Sequence, residues 1–200
     1  MEHAPPAVTE RVQHPIRLVV TDDLQRNRLT VFFRLILAIP HVIWLLIWGI
    51  VATLAVIANW FATLVNGESP QGLHNFLATY LRYVTQVYAY ILLIADPFPG
   101  FGGKPGYPVE IEVDPPQPQN RWTVGFRIFL AIPAFIIAGI FGYLNRILAL
   151  FSWFVALVLG RVPEGLRNVA AFALRFEQQT AGYTLLLTGR YPSFNVSVDE

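Results

Sequence analysis

Polarity along this chain changes in a fixed order, and it does so twice. Each round opens on a short stretch of strand character, Ile16-Arg-Leu-Val-Val20 and Val109-Glu-Ile-Glu-Val113, each directly after a proline. β-Branched runs and period-2 alternation predict strands, and a third such stretch, Phe194-Asn-Val-Ser-Val198, closes the chain. Alternation with charged partners belongs in water, so the three are expected to form a small sheet at a membrane surface. A long apolar segment follows in each round, from about residue 29 to 66 and from about 122 to 159. Gly67-Glu-Ser-Pro70 and Gly160-Arg-Val-Pro163 then end it, glycine at the C-cap and proline just beyond. A second, less apolar helix is expected over about 71–95 and 164–188, long enough to return across a bilayer.

The two rounds are copies. Residues 15–101 align with 108–194 without a gap at an offset of 93, and 33 of the 87 pairs are identical. The organisation read from this is a polar tail (1–14), a first membrane repeat (15–101), a Gly/Pro linker (102–107), a second repeat (108–194) and a C-terminal tail (195–200).

A helix as long as the apolar segment reaches roughly 55 Å, past the roughly 30 Å of a hydrocarbon core. Pro40 and Pro133 are therefore expected to kink or break it, giving an interfacial stretch (29–39 and 122–132) and a spanning stretch (41–65 and 134–158). Trp60 and Trp153 then mark the far interface and Trp122 the near one. A competing split makes each segment a re-entrant hairpin with its tip near Gly49-Ile50 and Asn145-Arg146; Arg146 at mid-segment argues for it. The single span is the preferred reading. The fold class is thus an all-α membrane protein: a tandem two-repeat helical bundle of about four transmembrane helices with a small cytoplasmic β-sheet.

Composition agrees with that class. The chain is 54% hydrophobic and only 14% charged, with mean hydropathy +0.48, where a soluble surface takes about 25% charged residues. A net charge of +1 and the lack of a basic tract exclude nucleic acid as a partner. There are no cysteines, hence no disulfides or thiolate chemistry. No cleavable leader is read in residues 1–14. With two spans per repeat, both repeats share one orientation. One side then collects Arg11, Arg17, Arg26, Arg28, Arg34, Lys104, Arg121, Arg127 and Arg190, and the other Arg161 and Arg167. The positive-inside rule puts strands and termini in the cytoplasm of a bacterial inner membrane, with the protein multi-pass.

Candidate chemistry is sparse. On the second helix of each repeat, Asn75, Ala78, Arg82, Gln86, Tyr90 and Leu93 recur as Asn168, Ala171, Arg175, Gln179, Tyr183 and Leu186, within an arc of about 120°. Asn75, Arg82, Gln86, Tyr90, Asn168, Arg175, Gln179 and Tyr183 form the candidate polar seam. Arginine in a bilayer points inward, pairs or snorkels, so the seam either lines an anion-contacting cavity, meets headgroups, or bonds the repeats together; the two bland readings outweigh the first. Arg34 and Arg127, six residues before the matched prolines, are expected to anchor to lipid phosphate. His41 has Ala134 as its counterpart, so neither haem nor metal is expected, and no cofactor is assigned. Glu177 alone among the carboxylates is expected to lie within the membrane, and its counterpart is Val84, which argues against an ion-coupled transporter. No catalytic motif is present, and no enzyme is expected.

Three blocks carry a resemblance. Arg34-Leu-Ile-Leu-Ala-Ile-Pro-His41 (and Arg127 to Pro133, followed by Ala134), Trp60-Phe61 with Leu64, Gly67, Pro70, Gly72 and Leu73, and Tyr90-x-Leu-Leu93 with Pro99 and Phe101 recur in both copies. Together they resemble a bacterial membrane-protein family known only as a domain of unknown function, number 4389. The resemblance covers nearly the whole chain and implies the class without an activity. The function expected is a non-catalytic structural or accessory role, the partners being the bilayer and either a second copy or other membrane-protein subunits. The alternative is a small transporter, channel or lipid-handling protein that uses the polar stripe.

Overall fold

The computed structural model describes residues 13–194. Its elements in chain order are β1 (Ile16–Val20), α1 (Arg28–Asn66), α2 (Gln71–Ile91), β2 (Val109–Val113), α3 (Arg121–Gly125), α4 (Arg127–Leu159) and α5 (Glu164–Thr184). Local chemistry fixes the ends. Asn27 accepts from the amides of Leu29 and Thr30 to start α1, and Asn120 accepts from Trp122 to start α3. Gly67 and Gly160, both left-handed, close α1 and α4 by donating to Thr63 and Ala156. The second repeat departs from the first at Gly125 and Phe126, where a turn separates α3 from α4. Phe32 stands in the first copy where Gly125 weakens the helix in the second.

Both prolines lie inside unbroken helices, contrary to the expected split. One lost hydrogen bond does not stop a helix whose other turns keep their own backbone bonds. Gly49-Ile50 and Asn145-Arg146 are also mid-helix, so the re-entrant hairpin is overturned. Two helices, α1 and α4, are long and apolar enough to cross a membrane; α2 and α5 are not, so two candidates stand where about four were expected.

β1 and β2 pair antiparallel with Leu18 opposite Ile111, its own counterpart 93 residues on. That register places a pseudo-twofold axis through the sheet, and the rest of the molecule obeys it. Arg26 N donates to Gly160 O and Gln119 N to Gly67 O. Trp60 Nε1 donates to Val124 O at 2.9 Å and Trp153 Nε1 to Val31 O at 3.0 Å. Each pair is the image of the other at the same offset. The start of α1 therefore sits at the end of α4, and the end of α1 at α3, the start of the second copy. α1 and α4 are antiparallel, not co-directional as expected. The expected segregation of arginines fails with it: Arg28, whose NH2 donates to Val158 O at 2.9 Å, lies beside Gly160 and so at the same end as Arg161.

The strands are exchanged between repeats. β1 packs on α5, where Gln179 Nε2 donates to Ile16 O at 3.0 Å; β2 packs on α2. α2 and α5 lie between the sheet and the long helices, around apolar clusters that include Ile16, Leu77, Leu81 and Ile111 on one flank and Val109, Ala170 and Leu174 on the other. The third expected strand falls almost wholly on residues 195–198, outside the described residues.

α1 and α4 are inverted in polarity. Their buried positions are Val31, Arg34, Ala38, His41, Ala52, Asn59 and Thr63 in α1, and Arg127, Ala131, Ala134, Asn145, Ser152 and Ala156 in α4. Apart from Val31, all are small or polar. Outward they present leucine, isoleucine and phenylalanine, with Leu35 72% exposed and Phe129 70%. A helix of a water-soluble domain does the reverse.

Candidate functional site

The arginines expected at lipid phosphate are buried: Arg34 is 1% exposed and Arg127 2%. Each reaches from the second turn of its repeat's first long helical region to the C-terminal end of the helix that follows. α2 ends with four orphan carbonyls and the negative end of its dipole, a natural seat for a cation. Arg34 NH1 donates to Tyr90 O (2.7 Å) and Ala95 O (2.9 Å), and NH2 to Asp96 Oδ1 (2.6 Å). Its guanidinium lies 4.3 Å over the Tyr90 ring. Arg127 repeats the arrangement with Tyr183 O (3.3 Å) and Thr188 O (2.9 Å), 4.1 Å over the Tyr183 ring. The lipid-phosphate role is corrected accordingly: these groups clamp helix ends inside the protein.

The clamp sits on an unusual backbone. Leu93 (φ 58°) and its copy Leu186 (φ 63°) both adopt the left-handed conformation. That turn aims the Leu93 and Ile94 carbonyls at Arg26, whose NH2 donates to both at 2.9 Å and pairs with Asp22 at 2.7 Å. Gln119 stands at the equivalent place, and its Nε2 donates to Leu186 O at 2.8 Å. The copies differ in charge. In the first, Asp22 and Asp96 balance Arg26 and Arg34. In the second their places hold Pro115, Gly189 and Gln119, and Gln119 Oε1 accepts from Arg127. Arg127 is therefore held by neutral groups alone among the described residues.

The eight seam residues do not converge on one cavity. Arg82 forms a 3.6 Å ion pair with Glu110 of β2, beyond hydrogen-bond reach. Gln86 Nε2 donates to Lys104 O (2.8 Å), fixing the linker. Gln179 binds Ile16 O and accepts from Ser193 N at 3.0 Å. Tyr90 and Tyr183 are buried under the arginines. Asn75 and Asn168 are exposed, and Asn75 accepts from Gln71. Arg175 Nε and NH2, like Arg82 Nε, are buried without a hydrogen-bond partner among the described residues, and the Arg175 guanidinium stands 5.2 Å over Phe172.

Other polar groups serve packing. His41 is fully buried, its Nδ1 2.6 Å from the Tyr83 hydroxyl and its ring stacked 4.5 Å from Phe101. Glu177 accepts from Asn145 at 2.9 Å, joining α5 to α4. Near the sheet, burial pushes the Tyr107 hydroxyl up and the His14 imidazole down from their ordinary values. Sequence reasoning missed the roles of Arg26, Gln119 and the two tryptophans. The signal was present in the alignment of the copies, where Asp22, Arg26 and Asp96 are replaced together.

A family model described as Domain of unknown function (DUF4389) matches residues 28–102 and, at the same offset of 93, residues 121–195. No curated protein matches the chain. No solved structure matches it.

Proposed function

The chain belongs to the family described as Domain of unknown function (DUF4389), in two tandem copies, and from that premise we propose that it is a membrane-embedded protein with a non-catalytic structural or accessory role. The observation that carries this is the inverted polarity of α1 and α4. Helices that bury alanine, serine, asparagine and arginine while exposing leucine, isoleucine and phenylalanine are stable only where the outer solvent is hydrocarbon. Small residues inside let backbones approach, and polar residues inside find partners that lipid cannot give.

The non-catalytic part follows from how the polar side chains are used. Arg34, Arg127, Gln86 and Gln179 direct their donors to backbone carbonyls of neighbouring elements. Such groups hold a scaffold and are not free for substrate. The compartment belongs to the same proposal: a bacterial inner membrane. So do the partners, a second copy or other membrane subunits.

The test is extraction. The full chain should stay with membranes through alkaline carbonate washing and leave them only with detergent, and mild detergent should bring partners or further copies with it. Release by carbonate sinks the membrane reading; an isolated monomer under every mild condition sinks the accessory role. One observation favours lipid handling as a second reading, the Arg175 guanidinium, whose buried Nε and NH2 have no hydrogen-bond partner among the described residues. If Arg175→Ala with Arg82→Ala leaves lipid binding and flux in liposomes unchanged, that reading fails.

A further inference from the structure

Resting on the membrane-embedded reading, we propose that α1 and α4 do not cross the bilayer but lie side by side in the plane of one leaflet, with the two-stranded sheet facing water. The occupant of their exposed apolar face is the acyl region of that leaflet.

Both long helices exceed the bilayer. The exposed apolar flank of α1 runs from Leu29 (67% exposed) to Val65 (69%), which is about 54 Å of helix against a hydrocarbon core of about 30 Å. A tilt of about 40° still leaves about 41 Å to cover. On α4 the flank runs from Ile128 to Leu159, about 46 Å by the same rise. Crossing would leave much of both flanks in water. Lying flat covers all of it, and a helix about 10–12 Å across fits one leaflet's half of that core.

Symmetry also favours the flat orientation. The pseudo-twofold axis passes through the Leu18–Ile111 pair of the sheet and, because it exchanges α1 with α4, through their common midpoint. The sheet therefore stands over the middle of both long helices, with α2 and α5 between. Were α1 and α4 upright, the sheet would lie at the depth of the bilayer centre. It carries Arg17, paired to Glu112 at 3.2 Å and Asp114 at 3.1 Å, and the Glu112 side chain is 55% exposed. Charges are most costly at that depth. With the axis along the membrane normal instead, the sheet is the part farthest from lipid.

Charge points the same way. Arg28 and Arg161 mark one end of the helix pair and Arg121 the other, all exposed. An upright pair puts these arginines on opposite surfaces, with no sidedness for the positive-inside rule to read. A flat pair brings all three to one headgroup layer, as in interfacial helices.

The chain has no cysteine, so single cysteines report cleanly. Leu35→Cys, Leu46→Cys and Ile57→Cys, evenly spaced along the exposed face of α1, each carry a nitroxide in vesicles of phosphatidylcholine and phosphatidylglycerol. Collision with oxygen and with a polar nickel chelate gives the depth of each label. All three are expected at one depth. A centre deeper than both ends by about 16 Å, the rise over 11 residues, overturns the proposal. Asp23→Cys and Glu68→Cys, at opposite ends of α1, supply a second reading on protein added to preformed vesicles. Both are expected to react fully with an impermeant maleimide; protection of one until detergent is added overturns the flat orientation. Flotation separates the two failures. Protein that does not float with vesicles defeats the membrane reading itself, whereas floating protein with a depth step defeats only this inference. A detergent-free soluble dimer that shields the three label sites would assign the face to a second copy and overturn it as well.

Discussion

Arg34 donates to the carbonyl of Tyr90 while its guanidinium rests on the ring of the same residue, so one side chain seals both the end of α2 and the aromatic wall beside it. The same relationship holds between Arg127 and Tyr183. Because the clamp acts on backbone carbonyls, a neutral replacement leaves several of them bare at once.

Arg34→Ala should accordingly destabilise the protein by about 3 kcal/mol or more, since buried carbonyls and the Asp96 carboxylate lose their partner together. Asp96→Asn should cost only about 1 kcal/mol, because the second copy already holds its arginine with an amide oxygen in that role. Thermal unfolding in a fixed detergent checks both. Equal losses for the two variants would mean that the ion pair, and not the carbonyl clamp, dominates.

Trp60→Phe and Trp153→Phe each delete one donor to the opposite copy. Each should lower stability by about 1 kcal/mol, with the double variant near the sum, since the two bonds lie at opposite ends of the helix pair. A double variant no worse than either single would mean that the two ends do not act independently.

Gly103 is the linker glycine with least room. At φ 63°, an added Cβ would stand 2.6 Å from the Thr79 carbonyl and 3.0 Å from the Tyr83 amide, both backbone. Gly103→Ala should cost more than about 2 kcal/mol, combining left-handed strain with displacement of the linker from α2. Gly100→Ala, which meets nothing within 4 Å, is the matched control and should be near neutral. Denaturation midpoints of the two, compared directly, decide this.

His14 gives a pH prediction with a definite sign. It is 7% exposed, and its Nδ1 accepts from the Ile16 amide at 3.0 Å. Burial lowers its pKa from the ordinary value, and the nearby charges of Arg190 and Arg175 push the same way. The unfolded chain, with histidine near about 6.5, then binds a proton that the folded chain resists. Stability from this group is complete above about pH 6.5 and is lost as pH falls toward the depressed folded value. His14→Gln should flatten that part of the stability–pH curve. An unchanged slope would assign the acid sensitivity to other groups.

Much of the fold was legible in the chain. Strand alternation gave β1 and β2, the Gly-x-x-Pro turns gave the ends of α1 and α4, and the gapless offset gave two matched copies. What the residues could not reveal was how the copies face each other. Sequence similarity is blind to a rotation axis, so two hairpins in tandem read as co-directional until Trp60 and Val124 are seen in contact. The same blindness misplaced Arg34: an arginine near a helix end has the same spacing whether it snorkels outward or turns in to cap a neighbour. The proline break failed because a local steric rule was set against the backbone hydrogen bonds of an entire helix.

The swapped strands bear on how such a molecule could have arisen. Each copy leaves its own closing helix to be covered by the other's leading strand, so neither half is complete without a mate. A gene holding just one unit would yield a chain obliged to pair with its twin, and tandem fusion turns that encounter between molecules into a local event on a single ribosomal product. Freed from matching itself, each half could then change alone, and the copies do differ where Asp22, Arg26 and Asp96 face Pro115, Gln119 and Gly189.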